Sequence, residues 1–431
     1  MIQLVRGFKD ILPDEIGAWN RIEKTTADLL ASFGFSEIRL PILEKTELFR
    51  RSIGEMTDIV EKEMYTFPGS RDEMLTLRPE ATASVARAYI QQRLYAVDPI
   101  QKLYTIGPMF RKERPQKGRY RQFYQINAEV FGIESPLVDA QLIVMLWSLF
   151  KRLEIFNLSV HINSLGCPSC RPEFKNFLSG NLSSRGELLC ADCQRRREKN
   201  PLRVLDCKVP SCQDAIAGAP VMSDFLCQAC ARHFDSVKRA LNQQEIPYII
   251  NHRLVRGLDY YCRTAFEIQT TQLGTQNAVA GGGRYDGLVE ALGGPSMPAV
   301  GFAVGIDRLV DILLQRGPQP GSVPDVFIAP LGDEAIRRSF EWSCALSLAD
   351  IKTEADFSGK SLKALMKRAD RVGADFVLIA GDQELQNGSV VVRNMKTKEQ
   401  TSVPIDKIAR EIKELITKKI RNPEASSQKS E

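Results

Sequence analysis

The chain has only three histidines, His161, His233 and His252, and none stands in a Ser/His/Asp-like or HExxH context. Base-driven hydrolysis is therefore a poor account of it. The usual phosphate cradles are missing as well. Gly359-Lys360-Ser361 ends like a Walker motif, but Glu354 occupies the place of its first glycine. Gly281-Gly282-Gly283 lacks the GxGxxG spacing, and no dinucleotide-type βαβ unit follows it. Long apolar runs are absent too: the longest, Leu142 to Phe150, falls well short of the roughly 18 residues a membrane span needs. The opening MIQLVRGFKD has no apolar core of a signal peptide and no small-residue cleavage site. A cytoplasmic protein without a membrane association is expected, and no internal repeat is visible.

What is present is a globular composition, 43% apolar and 26% charged, over 431 residues. That length exceeds one ordinary core and predicts two or three domains. The net charge of +5 is too mild to decide for or against a nucleic-acid partner, so the local distribution of charge must decide. Eight of the ten cysteines crowd between Cys167 and Cys230. In a cytosolic chain of this size such crowding points to thiolate metal sites more than to disulfides.

Periodicity predicts an amphipathic helix over residues 14–33, with Ile16, Trp19, Ile22, Leu29, Leu30 and Phe33 on one side, then an extended segment Ser36–Leu40 ended by Pro41. Thr76, Arg78 and Glu80 share one parity of a strand-like run, with a helix from about Ala81. Leu103–Ile106 and Phe123–Phe131 read as a long antiparallel hairpin whose turn holds Pro115, Lys117 and Gly118. Its returning strand puts Gln125, Asn127 and Glu129 on one face at period two. A helix at 137–153, strands at Phe266–Gln269 and Ala278–Ala280, a helix at Gly287–Leu292, a run Ala299–Phe302 and a final helix near Val304 complete an α+β body. Residues 315–325 (QRGPQPGSVPD) form a Pro/Gly linker. Beyond it strands alternate with helices in a small α/β domain over 326–421, and 422–431 is a polar tail expected to be disordered.

The chemistry concentrates in arginines. From Arg111 to Arg121, six of eleven residues are basic and one is acidic. A lone charge run is usually a solvated loop, but this one is pinned between two apolar strands beside Gln125 and Glu129. Guanidinium forks held at a strand end suit a triphosphate, because each can give two parallel bonds to phosphate oxygens. Two further stretches carry arginines in glycine-hinged settings. They are Leu254–Tyr261 (LVRGLDYY) with Arg256, and Ala299–Arg308 (AVGFAVGIDR) with Arg308. A convergent polyanion site is the economical account of all three.

With these motifs the chain resembles the bacterial-type histidyl-tRNA synthetases, class II aminoacyl-tRNA synthetases, over nearly its whole length. Arg6–Pro13 (RGFKDILP) is similar to that family's opening, and the segment around Pro41 sits where class II enzymes have their dimer-interface motif. Gly107–Glu129 looks like motif 2 and Gly301–Arg308 like motif 3. LVRGLDYY and AGGGRYDG resemble the two stretches particular to the histidine enzymes. The resemblance implies ATP-dependent attachment of L-histidine to tRNA(His) through a histidyl-adenylate, with ATP and Mg2+ as substrate and a homodimeric assembly. It also implies the roles. Arg111 and Arg256 act at the α-phosphate, Arg308 holds the far end of the triphosphate, and Arg119 and Arg121 contact nucleotide or tRNA. Glu80, Thr82 and Gln125 serve the ammonium and carboxylate end of histidine. Glu129 with Tyr261 reads the imidazole, and Tyr260 and Tyr285 line the pocket. Ala81, Lys112 and Tyr124 depart from the commonest family residues (a glycine and two histidines), and none of them removes a ligand.

The same resemblance assigns 1–166 and 245–314 to the catalytic core, 167–244 to an inserted domain and 326–421 to an anticodon-binding-like module. Spacing groups the cysteines as Cys167, Cys170, Cys190 and Cys193 in one zinc-ribbon-like set and Cys207, Cys212, Cys227 and Cys230 in a second. Structural zinc is the expectation, and a catalytic role for these thiols is not. Two non-catalytic readings compete: a histidine-binding regulatory paralogue of ATP phosphoribosyltransferase, and a tRNA sensor. The first predicts loss of the LVRGLDYY arginine and no C-terminal α/β domain. The second needs an effector domain.

Overall fold

The computed structural model describes residues 1–55, 57–70, 73–115, 118–273, 277–317 and 323–421. The expected tail 422–431, Lys117 of the basic turn and residues 318–322 of the expected linker lie outside them. Two compact units emerge, Met1–Gln319 and Pro320–Glu431.

In the first unit, α1 (Pro13–Ser32) begins with proline at its first turn and two acidic residues, Asp14 and Glu15, where the helix dipole favours negative charge. Its buried face holds Ala18, Trp19, Ile22, Leu29 and Leu30, while Ile16, expected with them, is exposed. The extended segment after it is shorter than expected, β1 (Ser36–Glu37). A small sheet follows, made of β2 (Leu43–Lys45), β3 (Tyr65–Pro68) and β4 (Met74–Leu77), with α2 (Thr46–Ile53) between its first two strands. Strand β4 stops at Leu77, so Thr76 alone of the predicted Thr76/Arg78/Glu80 face lies on it. Helices α3 (Thr82–Gln91) and α4 (Leu94–Val97) come next.

The predicted hairpin is present and longer than periodicity suggested. Strands β5 (Gln101–Phe110) and β6 (Gln122–Phe131) pair antiparallel, with Gly107 opposite Gln125 and Leu103 opposite Glu129. After α5 (Pro136–Arg152) and β7 (Leu158–Ser164) the chain enters a helical, cysteine-bearing stretch. It comprises α6 (Arg171–Ser183), α7 (Ala191–Lys199), α8 (Pro210–Ala215) and α9 (Gln228–Gln243). The chain then returns through β8 (Tyr248–Ile250), β9 (Cys262–Thr270), β10 (Ala278–Arg284), α10 (Leu288–Ala291), β11 (Ala299–Gly305) and α11 (Ile306–Leu314).

The main sheet runs β1-β5-β6-β11-β10-β9-β7-β8. Its six inner strands are antiparallel, and only the edge pairs β1/β5 and β7/β8 are parallel. This is the expected α+β body. Period two decides what faces where. Ile126, Ala128 and Val130 of β6 enter the large core with α1, α5, α9 and α11, so Gln125, Asn127 and Glu129 must project from the other face. On that face a second core gathers Val85 and Tyr89 of α3 with Phe131, Ala265, Tyr261 and Tyr285.

The helical stretch has a core of its own, built on Phe174, Leu178, Leu182, Val204 and Ile216 and including five of the cysteines. The expected insert boundary at residue 244 lies beyond the structural change-over, because α9 is shared. Cys230 belongs to the insert's core, whereas Phe234, Val237 and Leu241 are buried in the large core. Helical periodicity gives no sign of which body a helix face will meet.

The second unit orders its strands β13-β12-β14-β15-β16, with β12 (Val326–Pro330), β13 (Thr353–Ala355), β14 (Phe376–Ala380), β15 (Ser389–Asn394) and β16 (Gln400–Pro404). The first three are parallel and the last two close an antiparallel hairpin. Helices α12 (Asp333–Leu348), α13 (Leu362–Arg371), α14 (Asp382–Gln386) and α15 (Ile408–Arg421) complete the α/β domain read from the sequence. Apolar clusters occupy both faces of this sheet.

Candidate active site

Four of the five predicted arginines converge. An open cleft of about 230 Å³ over the site face of the sheet is lined by Arg111, Arg119, Arg256 and Arg308, with Gln125, Phe123, Glu113 and Glu267. Arg111 follows β5 directly. Its Nε donates to the Pro79 carbonyl at 2.9 Å, and its guanidinium lies over the Phe123 ring, 5.2 Å from the centroid. Those contacts fix the stem and leave the terminal nitrogens toward Glu113, 3.7 Å away. Arg119 pairs with the same carboxylate at 3.1 Å. Arg308, in the first turn of α11, is anchored on the Ala278 and Gly118 carbonyls, and burial lowers its pKa. Arg121 does not join them. Its side chain turns back to the carbonyls of Arg6 and Glu113, at 3.2 and 3.4 Å, and does not line the cleft.

Arg256 crosses the sheet over β10, 3.2 Å from Glu267 and 5.6 Å above the Tyr261 ring. The crossing depends on Gly281: a Cβ there would come 2.5 Å from both terminal nitrogens. Arg256 Nε and Gln125 Oε1 are buried and find no hydrogen-bond partner among the described residues. Buried polar atoms are usually paired, so these two are the ones a bound molecule would complete.

Beside the cleft lies a more enclosed polar group. The Glu80 carboxylate accepts from the backbone N–H groups of Thr82 and Ala83, at 2.7 and 2.9 Å, and so caps α3. Ala81, where the family commonly has glycine, sits at φ −102°, a conformation that needs no glycine. Glu129 accepts from Thr82 Oγ1 at 2.6 Å and from the Tyr285 hydroxyl. Burial pushes the Glu129 carboxyl up to about 8 despite those two bonds, and the nearby Glu80 charge pushes the same way. Gly301 on β11 makes room for it, because a Cβ there would overlap Glu129 Oε2. Tyr260, Tyr261 and Tyr285 close the pocket with ring centroids 4.7 to 6.1 Å apart, and the Tyr260 hydroxyl reaches Glu80 at 3.5 Å. Burial raises all three phenol pKa values, so they act as neutral donors.

A family model described as Histidyl-tRNA synthetase matches residues 7–167 and 215–309. The chain belongs to the histidyl-tRNA synthetase family. A second model, Anticodon binding domain, matches 325–415. A histidine--tRNA ligase of Desulforapulum autotrophicum is 56% identical over 97% of this chain and 98% of its own length. One of Geobacter sulfurreducens is 52% identical over 94% and 98%. Among solved structures, the apo histidyl-tRNA synthetase of S. aureus superposes with a TM-score of 0.80 at 36% identity, covering 96% of this chain and all of that one. A Bacillus halodurans chain titled as an ATP phosphoribosyltransferase regulatory subunit/histidyl-tRNA synthetase shares the fold, with a TM-score of 0.63 at 18% identity over 88% and 98%.

Within this family fold several contributors were not read from the sequence. Glu267 on β9 holds Arg256; its signal was a lone acid between Phe266 and Ile268. Arg284 is fully buried, doubly bonded to Asp139 on α5, which also meets His233 Nε2 at 2.8 Å. That buried network fixes the strand end carrying Tyr285, and an acid inside the apolar Leu137–Leu149 helix pattern was its visible trace. Lys112 lies over Tyr65, and Tyr124 packs edge-on against Trp19, so neither departure from the family pattern reaches the cleft.

The eight cysteines do cluster, but not in the expected sets. Cys167 and Cys170 meet Cys227 and Cys230, while Cys190 and Cys193 meet Cys207 and Cys212. Helix α6 carries the chain away from Cys170, and only the start of α9 comes back to it, so sequence order is not spatial order. None of the eight lines the arginine cleft.

Proposed function

We propose that this chain attaches L-histidine to tRNA(His) with ATP, through a histidyl-adenylate, releasing diphosphate and AMP. The observation that carries the choice of amino acid is the buried Glu129, held by Thr82 and Tyr285 beside the arginine cleft. A histidine carboxylate is already a nucleophile, so attack on the α-phosphorus needs positioning and charge neutralisation rather than a protein base. Arg111 and Arg256, which line the cleft with Gln125, supply that charge, and Arg308 and Arg119 take the outer phosphates. Magnesium enters with the nucleotide as substrate. Gln125, Glu80 and Thr82 serve the amino-acid backbone. Glu129 pairs one imidazole nitrogen, with Tyr261 on the other side and Tyr260 and Tyr285 closing the pocket. A pocket of this kind rejects amino acids that leave its polar groups unpaired, by roughly 10⁴-fold.

The regulatory-paralogue reading lacks support, since Arg256 and the C-terminal α/β unit are both present. That unit is the proposed tRNA contact. Lys360, just before α13, and Arg368 on it are bound to Asp356 and Glu354, leaving Lys363, Lys367 and Arg371 of α13 as the exposed basic stripe. Homodimer formation is supported by exposed Ile42, Leu43, Phe67 and Met74 around the small sheet next to Pro41. No helix among the described residues is long and apolar enough to cross a membrane, and we assign a cytoplasmic location. The thiolate clusters suit structural zinc. Arg121, bound to the Arg6 carbonyl and outside the cleft, is left without a nucleotide contact in this reading. ATP–diphosphate exchange with each amino acid in turn tests the reading. Exchange driven by histidine alone is expected, and exchange driven by another amino acid, or by none, overturns it.

A further inference from the structure

We propose that each cysteine cluster holds one zinc ion and that the two ions position the loop Arg256–Tyr261 for histidine. The second half of the proposal depends on the synthetase reading above, and the first half does not. Within each cluster the four sulfurs lie within 4.8 Å of one another. A tetrahedral zinc–thiolate centre with bonds of about 2.3 Å has sulfur–sulfur edges of roughly 3.8 Å, so closure needs only small side-chain shifts. Backbone N–H groups already donate to the sulfurs. Cys227 N–H reaches Cys170 Sγ at 3.2 Å, and Cys190 N–H reaches Cys212 Sγ at 3.1 Å. Cys170, Cys190 and Cys227 are the N-cap residues of α6, α7 and α9, where helix dipoles favour thiolate charge. Four soft ligands in a closed, largely buried set favour zinc over magnesium or calcium. On binding, four thiols release their protons and four Zn–S bonds form, with no change of oxidation state.

The second observation is where the ligands point the intervening chain. Cys193 and Cys207 bracket residues 194–206, and that bracketed segment hydrogen-bonds both ends of Arg256–Asp259. Asn200 donates to Asp259 at 3.0 Å and Arg203 to the Arg256 carbonyl at 2.9 Å. Arg196, 2.6 Å from Asp58, and Arg203, 3.7 Å from it, tie the same segment to the core. At the other cluster Arg171, next in sequence to Cys170, donates to the Tyr261 carbonyl and to Leu165 at 3.2 Å. One cluster thus holds the start of the histidine loop and the other its end. Without a metal, the helices bearing these side chains are tied by a small core alone, and the loop carrying Arg256, Tyr260 and Tyr261 loses its fixed backing.

The test begins with the full-length wild type, purified under reductant without chelator. Elemental analysis should give two zinc ions per chain, with no visible iron absorbance. One ion or fewer, iron in place of zinc, or disulfides consuming the eight thiols overturns the metal sites, whatever the enzyme's activity. Cys193→Ser with Cys212→Ser should remove one zinc and raise the KM for histidine about tenfold, comparable to losing one hydrogen bond to a charged group. The KM for ATP should stay near wild type. Arg203→Met should keep both zinc ions and show a similar rise, which separates positioning from misfolding. Two zinc ions with an unchanged histidine KM in Arg203→Met overturns the positioning role. Cys344→Ser, in the second unit, should alter neither metal content nor exchange. If wild type binds two zinc ions but shows no histidine-driven exchange, the synthetase reading fails and the metal sites stand.

Discussion

Glu129→Gln is the most informative single change, because it bears on stability and on recognition with separable signs. In the folded chain burial holds the Glu129 proton up to about 8, against an ordinary value of 4.5. Between those values the folded state binds one proton that the unfolded state has released. Stability therefore falls as pH rises through the window, and the loss persists above it. At about 1.4 kcal/mol per pH unit the full effect is on the order of 5 kcal/mol, an upper bound because the pocket can relax. Glutamine keeps the shape and does not titrate, so it lacks this slope. Denaturant midpoints for both proteins, without histidine, from about pH 5 to about pH 9 should show the wild type losing ground to the variant. A constant difference, or a wild type that gains, refutes the account of Glu129. In exchange assays the variant replaces one carboxyl oxygen with an amide NH2 and so leaves buried polar atoms unmatched on both sides of the contact. Together these cost about 3–5 kcal/mol, or roughly 10²- to 10⁴-fold in kcat/KM for histidine. The KM for ATP should hold, since Glu129 does not line the arginine cleft. A histidine KM and kcat within about threefold of wild type would remove Glu129 from recognition.

Other outcomes follow from the same geometry. Arg256→Gln should lower kcat for exchange by about 10²- to 10³-fold with little effect on the KM for ATP, as for loss of one transition-state donor; single-turnover adenylate formation measures it. Asp139→Asn leaves Arg284 buried without its full counter-charge, and a loss of about 3–5 kcal/mol of stability is expected in denaturant titrations. Lys363→Glu with Lys367→Glu should weaken tRNA binding, flatten its salt dependence by about two phosphate contacts and leave exchange untouched. Equal tRNA affinity at matched salt would detach α13 from the RNA.

Local rules carried the reading a long way where the cause was local. The alternation along Phe123–Phe131 was enough to put Gln125 and Glu129 on one face, because a strand's side chains alternate whatever it packs against. The arginines at 111, 119, 256 and 308 were legible as a polyanion site from their type and their pinned ends, and the fold brings them to one cleft. Cysteine spacing announced tetrathiolate clusters. It could not say which pairs meet, because that depends on how α6 leaves and α9 returns.

Tertiary structure alone decided the rest, wherever a partner lies far along the chain. Arg121 has the same chemistry as Arg119 and two residues' separation from it, yet it faces Arg6 and Glu113. Tyr285, expected only to line the pocket, turns out to hold Glu129 directly, because β10 and β6 flank β11 and Gly301 between them has no side chain. The bond from Arg203 to the Arg256 carbonyl joins the insert to the loop that carries Arg256. No pattern within either segment encodes it, since burial and hydrogen bonding between distant segments are properties of the chain's path. The sequence determined which side chains could bind phosphate, imidazole and metal, and the path of the chain determined which of them stand together.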